Sequence, residues 1–348
     1  MTVKCPTFLL RRLFVSIVVL CFTLVVCVEA FSQNLNIIRI ATGSTAGTYF
    51  RVGGLIGNMI SNPPGSRSCE RGGSCGVPGL IAMAQSTNGS VANIKAVYSG
   101  EMEMALSQAD IAYWSYNGSG FYQGTTPKRS LRALANLFSE KMHIVVASDS
   151  DIINISDLQG KRVSVGSIGS GSKIDASLIF SAYGVNRLEM DVITMGLEQS
   201  VIALEKNKLD AVFFVSGPPV LAITDLSERM AIRFLSVAGP IAKKLTKIFP
   251  FFTQSEIDMG VYGGDDSVQT LAVNAILIVR NDMPDDIAYG ITKAIWHPNS
   301  APILANGHLS TRSMTISNAA NINGVVLHDA ARKFYIDQGV LKNGFINP

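Results

Sequence analysis

Short apolar blocks alternate along this chain with stretches of helical spacing, and Gly- or Ser-rich turns separate the two. Ile37 to Ala41 reads as a buried strand. It runs into the turn Thr42-Gly43-Ser44-Thr45-Ala46-Gly47-Thr48 and a patterned helix from about Tyr49 to Ile60. Residues 62–79 read as a loop with three prolines. Ser90 is placed to cap a helix through about Tyr98, Met104 to Ser107 forms a strand, and Asp110 is placed to cap the next helix. Leu131 to Phe138 and His143 to Ala147 read as two strands. Arg162 to Gly166 forms a strand that feeds the loop Ser167 to Ser172 and a helix to about Tyr183. A strand at Asp191 to Thr194, a helix at Gln199 to Asn207 and the apolar strand Ala211 to Val215 complete a second run. Beyond these lie a strand from Ile232 to Val237, a helix from Ile241 to Phe249 and the long apolar strand Thr270 to Val279. Helices at 284–296, opened by Pro284, and from Asp329 to about Gln338 close the chain.

Strands alternating with helices predict parallel sheets covered on both faces. The strand, Gly/Ser turn and helix unit occurs twice, at 37–60 and 162–183, so the chain is expected to form two α/β lobes. The apolar segments 143–147 and 270–279 are the expected crossings between them. That assigns residues 31–143 with 276–348 to a first lobe and 144–275 to a second.

The first thirty residues change the picture of where the protein works. Lys4, Arg11 and Arg12 precede sixteen apolar or small residues, Leu13 to Val28, interrupted only by Ser16 and Thr23. Val28-Glu29-Ala30 then offers small residues at a cleavage site, which predicts a secretory signal peptide cut near Ala30 and a periplasmic location. A membrane span needs about 20 apolar residues, which disfavours an anchor, and Val26 disfavours lipidation at Cys27. Cleavage removes Cys5, Cys21 and Cys27, leaving Cys69 and Cys75, for which an oxidising compartment predicts a disulfide. Cleavage also takes the formal charge from +3 to +1. Such a near-neutral chain has no electrostatic signature for nucleic acid. After the signal no apolar run is long enough to cross a bilayer, so the mature chain is not expected to span a membrane.

Candidate chemistry concentrates in the turns. A helix N-terminus presents unpaired N–H groups and partial positive charge, and glycine lets an anion approach the backbone. Two such turns stand at strand C-termini, where open α/β sheets bind ligands. One contains Thr42, Gly43, Ser44, Gly47 and Thr48; the other contains Ser167, Ser170, Gly171 and Ser172. A third polar segment offers Ser86, Thr87 and Ser90, with Asn93 in the helix it opens. Gln108, Ser216 and Gly217 lie at or just past strand ends, and Tyr49 and Tyr262 are candidate ligand walls. The bland alternative for each is turn punctuation, a satisfied cap or core packing.

Enzyme signatures fail in turn. Gly166 to Lys173 approaches a P-loop, but Lys173 comes one residue late and Ile174 replaces the Mg²⁺-ligating hydroxyl. Ser170-Gly171-Ser172-Lys173 has Ser-x-x-Lys spacing without its Ser-Asp-Asn and Lys-Thr-Gly companions. His143, His297, His308 and His328 have no metal-ligand spacing, and no cofactor or metal is expected. A serine hydrolase built on Ser170 and Lys173 remains the enzymatic alternative.

Several segments resemble TAXI-family proteins, the extracytoplasmic receptors of TRAP transporters. The first is ATGSTAGTYFRVGG at 41–54, followed by QSTNGSVANI at 85–94 and ALSQADIAYWSY at 105–116. DLQGKRVSVGSIGSGS at 157–172, DAVFFVSGPPVLAI at 210–223 and VVLHDAARKFYIDQGV at 325–340 extend the likeness over 37–342. The cysteine loop resembles the branch described as immunogenic surface antigens. The resemblance implies a type II periplasmic-binding-protein-like fold, a two-lobe Venus flytrap. It also implies capture of a small anionic ligand, a glutamate-like amino acid or oxoacid, and delivery to TRAP-type permease subunits. Ser44-Thr45-Ala46 replaces some of that family's glycines, and Val261-Tyr262-Gly263-Gly264 keeps a tyrosine but not the proline beside it, so the pocket is expected to differ in shape. A surface antigen or sensor without transport is the non-enzymatic alternative.

Overall fold

The computed structural model describes residues 35–342. The expected signal peptide, its cleavage site and Cys5, Cys21 and Cys27 lie outside the described residues. In chain order the first run is β1 (Asn36–Ala41), α1 (Thr48–Ile60), the short β2 (Ser61–Asn62) and β3 (Val77–Pro78), β4 (Leu80–Gln85), α2 (Ser90–Ser99), β5 (Met104–Gln108) and α3 (Ala109–Asn117). Then come β6 (Leu131–Ala147), β7 (Arg162–Ser164), α4 (Gly171–Ala182), β8 (Asp191–Ile193), α5 (Leu197–Glu205) and β9 (Ala211–Ser216). The remainder is α6 (Leu221–Arg229), β10 (Ile232–Phe234), α7 (Gly239–Ile248), β11 (Thr253–Asp258), β12 (Ser267–Arg280), α8 (Asp285–Ile295), α9 (Ala301–Gly307), α10 (Ile316–Ala319) and α11 (Asp329–Asp337).

Two parallel wings share one architecture. The first runs β4-β1-β5 and the second β8-β7-β9, each parallel throughout. In both, the opening strand lies between its two successors. The chain therefore crosses to opposite sides of β1 and of β7, which makes the loop after each a topological switch point, the place where such sheets bind ligands. Helices flank both wings, and the arrangement is the expected two-lobe α/β fold.

The wings are joined by β6 and β12, which run antiparallel to one another. β12 pairs with β5 through Ala275–Val279 and with β11 through Ser267–Ala272. β6 pairs with β12 up to Lys141 and with β9 from Lys141 to Val146. The sequence reading broke β6 in two at Ser139-Glu140-Lys141, because consecutive polar residues imitate a turn. These residues instead pair with Asn274, Val273 and Ala272, and the strand continues through them. β11 escaped the sequence reading altogether, since TQSEID is polar and mostly exposed on the sheet edge.

Helix starts also differ from expectation. Ser90 is the first residue of α2 and Gly89 the cap, while Gln108 caps α3 and Asp110 lies inside it. The first lobe packs around residues such as Ile40, Ile56, Leu106 and Ile291, all fully buried. A second cluster is continuous from Ile94 and Ile111 to Ile179, Phe180 and Phe213 in the other wing. Burying each such side chain contributes about 1.5–3 kcal/mol. α11 returns to the first lobe, where the Tyr335 hydroxyl donates to the Leu134 carbonyl at 2.9 Å. No helix among the described residues is long and apolar enough to cross a membrane.

Candidate functional site

The turn after β1 is built from its backbone outward. Thr42 is fully buried; its N–H and hydroxyl both donate to the Gln85 carbonyl, at 3.0 and 2.6 Å. α1 crosses directly above at Gly53, where any side chain would strike the Thr42 methyl. Gly47 caps α1 without a side-chain hydrogen bond. Gly43, Ser44, Gly47, Thr48 and Tyr49 thereby reach one wall of a cavity of about 110 Å³.

The turn after β7 supplies the opposing wall. Gly166 and Gly169 both take φ +94°, a region that favours glycine, and the chain folds back into α4. Ser170 caps that helix by accepting from the Lys173 N–H at 3.2 Å, and its hydroxyl donates to the Ser167 carbonyl at 2.8 Å. Ser167, Ser170, Gly171 and Ser172 line the cavity. The third loop adds Thr87 and Ser90, and Gln108 and Ser216 add strand-end side chains. Thirteen of the eighteen residues singled out from sequence therefore face one space between the lobes.

The other five do not reach that surface, each for a local reason. The polar groups of Thr42 are spent on Gln85. Ser86 donates to the Gly43 carbonyl at 2.8 Å. Asn93 is a buried brace: its amide donates to the carbonyls of Thr42 and Leu106, and its oxygen accepts from Thr87. Gly217 lies against Phe138 and Ser310, and its carbonyl accepts from Thr48 at 2.5 Å. Tyr262 belongs to the second lobe's interior, where its hydroxyl accepts from Val220 N–H and donates to His143 Nε2 at 3.2 Å. His143 keeps its proton on Nδ1, against the Lys141 carbonyl, and burial lowers its pKa to about 3.

Sequence reasoning missed the cavity's carboxyl. Glu140, in the middle of β6, lines the cavity and is only 2% exposed. The Tyr49 hydroxyl donates to its Oε2 at 2.6 Å. Burial pushes the Glu140 carboxyl well above the usual range, and the Tyr49 hydrogen bond only partly offsets it. Among the described residues no Lys, Arg or His lines this space. Asn88, Gly89, Leu197, Ser200 and the strand Val212–Ser216 complete the wall.

Direct contacts hold the lobes together around the cavity. The Ala92 N–H donates to the Gly169 carbonyl at 3.0 Å. At one edge Ser44 Oγ donates to Glu198 Oε1 at 2.7 Å, and the Ala46 N–H to the same oxygen at 3.2 Å. Burial works to raise the Glu198 carboxyl, but these donors hold it below its ordinary range. Deeper in, Gln108 Nε2 donates to Asp175 Oδ2 at 2.6 Å. Asp110 and Asp175 are both fully buried there. Burial raises Asp110 to about 6, and burial together with the Asp110 charge raises Asp175 well above the usual carboxylate range.

Nothing in this arrangement makes a nucleophile of Ser170. Its hydroxyl meets the backbone of Lys173 rather than its amine. Gly72-Gly73-Ser74-Cys75-Gly76 has the spacing of a nucleophile elbow, but it lies in a loop between β2 and β3, and Ser74 donates to the Ser61 carbonyl. That loop is closed by the expected Cys69–Cys75 disulfide. The fold brings His297 to it, with Nε2 at 3.7 Å from Cys69 Sγ, a neighbour that sequence spacing did not reveal.

The sequence profile of the NMT1-like family matches residues 40–339. Among solved structures, a Bordetella bronchiseptica protein overlays 90% of this chain and 86% of its own, at 17% identity and a TM-score of 0.50. An ancestral arginine-binding protein bound to arginine overlays 78% and 98%, at 14% identity and 0.48. The periplasmic aliphatic sulphonate binding protein of Escherichia coli overlays 78% of each chain, at 11% identity and 0.40. At these identities the likeness concerns the fold alone.

Proposed function

From the premise that this chain belongs to the NMT1-like family, we propose that it is an extracytoplasmic solute receptor which captures a small carboxylate or amino acid, glutamate-like or an oxoacid, between its lobes. One observation carries the reading: two Gly/Ser turns, one per lobe and each at a switch point of its sheet, line a single cavity. A carboxylate docks on the N–H groups and hydroxyls that these turns leave free: backbone N–H groups at Gly43 and Thr48 on one side, and the backbone and hydroxyls around Ser167, Gly171 and Ser172 on the other, since the Ser44 and Thr48 hydroxyls are given to Glu198 and the Gly217 carbonyl. No cationic side chain lines the cavity, so the anion's charge is met by helix N-termini and amide dipoles.

Closure follows from the same geometry. The ligand touches both walls only when the lobes meet, so its binding favours the closed state. β6 and β12 are the connecting strands about which the lobes move, with the lobe boundaries placed at 143/144 and 275/276. A TRAP-type permease reads the closed form on the periplasmic side, in keeping with the TAXI-like segments and the expected signal peptide. Catalysis has no part in this reading, since the Ser170 hydroxyl is engaged as a helix cap.

Calorimetry with a panel of dicarboxylates, oxoacids and amino acids tests the proposal. Micromolar binding by at least one is expected, about 8 kcal/mol. Replacing Ser170 with Trp is expected to abolish it. Absence of binding by any small anion to the folded protein, or unchanged affinity in Ser170→Trp, would overturn the reading.

A further inference from the structure

The cavity wall carries a carboxyl and no base. Glu140 stands on the strand that connects the lobes, at the edge of a space otherwise bounded by glycines, hydroxyls, amides and apolar side chains. Its one hydrogen-bond partner among the described residues is Tyr49, at Oε2. An acidic side chain buried to this degree is costly unless a partner compensates it. To a plain anion it offers only the hydrogen bond of its neutral form, because an ionised carboxylate there would repel the ligand. The structure offers no cation for Glu140 among the residues lining the cavity, which leaves the solute to supply one.

We propose that Glu140 is the residue that selects amino acids over oxoacids in this cleft, seating the solute's ammonium group while the solute's carboxylate rests on the turns that open α1 and α4. This rests on the proposed cleft as the binding site and narrows the ligand class within it. An oxoacid lacks the ammonium, and a plain dicarboxylate puts negative charge where Glu140 stands.

The proposal includes a proton step. In the empty cavity burial favours the neutral carboxyl. The arriving ammonium stabilises the carboxylate, so the acid proton of Glu140 leaves to solvent as the ion pair forms. The titratable groups facing Glu140 are Tyr49 on α1 and Asp110 on α3, with Asp175 of α4 also acting on the same group of charges. None of them supplies positive charge. A keto acid would instead accept a hydrogen bond from the neutral carboxyl, with no proton released.

The experiment titrates the purified full-length mature protein with the twenty common amino acids and their 2-oxo-acid counterparts, by calorimetry in buffers of differing ionisation enthalpy. At least one amino acid is expected to bind ten or more times tighter than its oxo-acid, with net proton release. Glu140→Gln retains both a donor and an acceptor but no charge. It is expected to weaken the amino acid at least tenfold and to abolish proton release. Tighter binding by the oxo-acids, or amino acid binding without proton release, overturns the inference and leaves the cleft reading standing; the wild-type measurement suffices even if Glu140→Gln fails to fold. Undiminished amino acid affinity in Glu140→Gln overturns it equally. Failure of every compound to bind overturns both readings.

Discussion

Gln108 Nε2 of the first lobe donates to Asp175 Oδ2 of the second at 2.6 Å, and both side chains are buried by the contact. The hydrogen bond ties the end of β5 to the first turns of α4, beside the cavity. Asp110 is fully buried in the same place and shares it with the Asp175 carboxyl. Closing the lobes therefore brings two buried carboxyls together.

Closure is expected to depend on pH with a definite sign. Burial in the closed form raises Asp110 to about 6 and lifts Asp175 well above the usual carboxylate range, whereas an open, solvated aspartate titrates near 4. The closed form thus holds protons more tightly, and linkage makes it more favoured as pH falls. The contribution is fully present below about 4 and is lost as pH rises through 6 and beyond. Small-angle scattering of the ligand-free protein is expected to show compaction on acidification over this window. Asp175→Asn is expected to remove most of that dependence.

Glu198 is expected to act as a latch at the cavity's edge. One of its oxygens accepts from Ser44 and from the Ala46 backbone across the lobes. A hydrogen bond to a charged group contributes about 1.5–3 kcal/mol. Glu198→Ala is expected to weaken solute affinity roughly tenfold or more, with little change in the ligand-free melting temperature. Calorimetry beside thermal unfolding separates the two effects.

At Gly171 the backbone of the second lobe lies directly against Gln108 of the first. A methyl group there would overlap Gln108 Oε1 and crowd Ile111. Gly171→Ala is expected to hinder closure and weaken binding more than tenfold, while each lobe folds normally. Unchanged circular dichroism with lost calorimetric heat is the expected signature.

The disulfide is expected to matter for stability and not for binding, since neither Cys69 nor Cys75 lines the cavity. Closing so short a loop contributes about 2 kcal/mol. Replacing both cysteines with serine is expected to lower the melting temperature by a few degrees and leave affinity unchanged.

The two-lobe fold and most of the cavity wall were legible in the sequence because their signals are local. A strand, a Gly/Ser turn and a helix follow one another at 37–60 and at 162–183, and each turn does in space what its composition suggests. Glu140 was illegible because Ser-Glu-Lys inside an apolar run has the appearance of a turn. Only the pairing of β6 with β12 shows it to be a strand with a buried acid. Glu198 looks like an ordinary acidic residue in a helix's first turn, and its role comes from Ser44, far away in sequence. Asn93 and Tyr262 were drawn toward the site by polarity and aromaticity, yet their partners are the chain's own carbonyls, amides and His143. Burial of a polar group is visible in sequence; the partner that satisfies it is not.

The central claim is that one solute held between the two turns keeps the lobes closed. A pair of spin labels, attached at cysteines replacing the exposed Lys95 of the first lobe and Lys206 of the second, reads their separation directly. Titrating in a binding solute is expected to shorten and narrow the distance distribution, saturating at one equivalent, and Gly171→Ala should resist the change. A distribution that stays the same when calorimetry shows the site to be full would contradict the account.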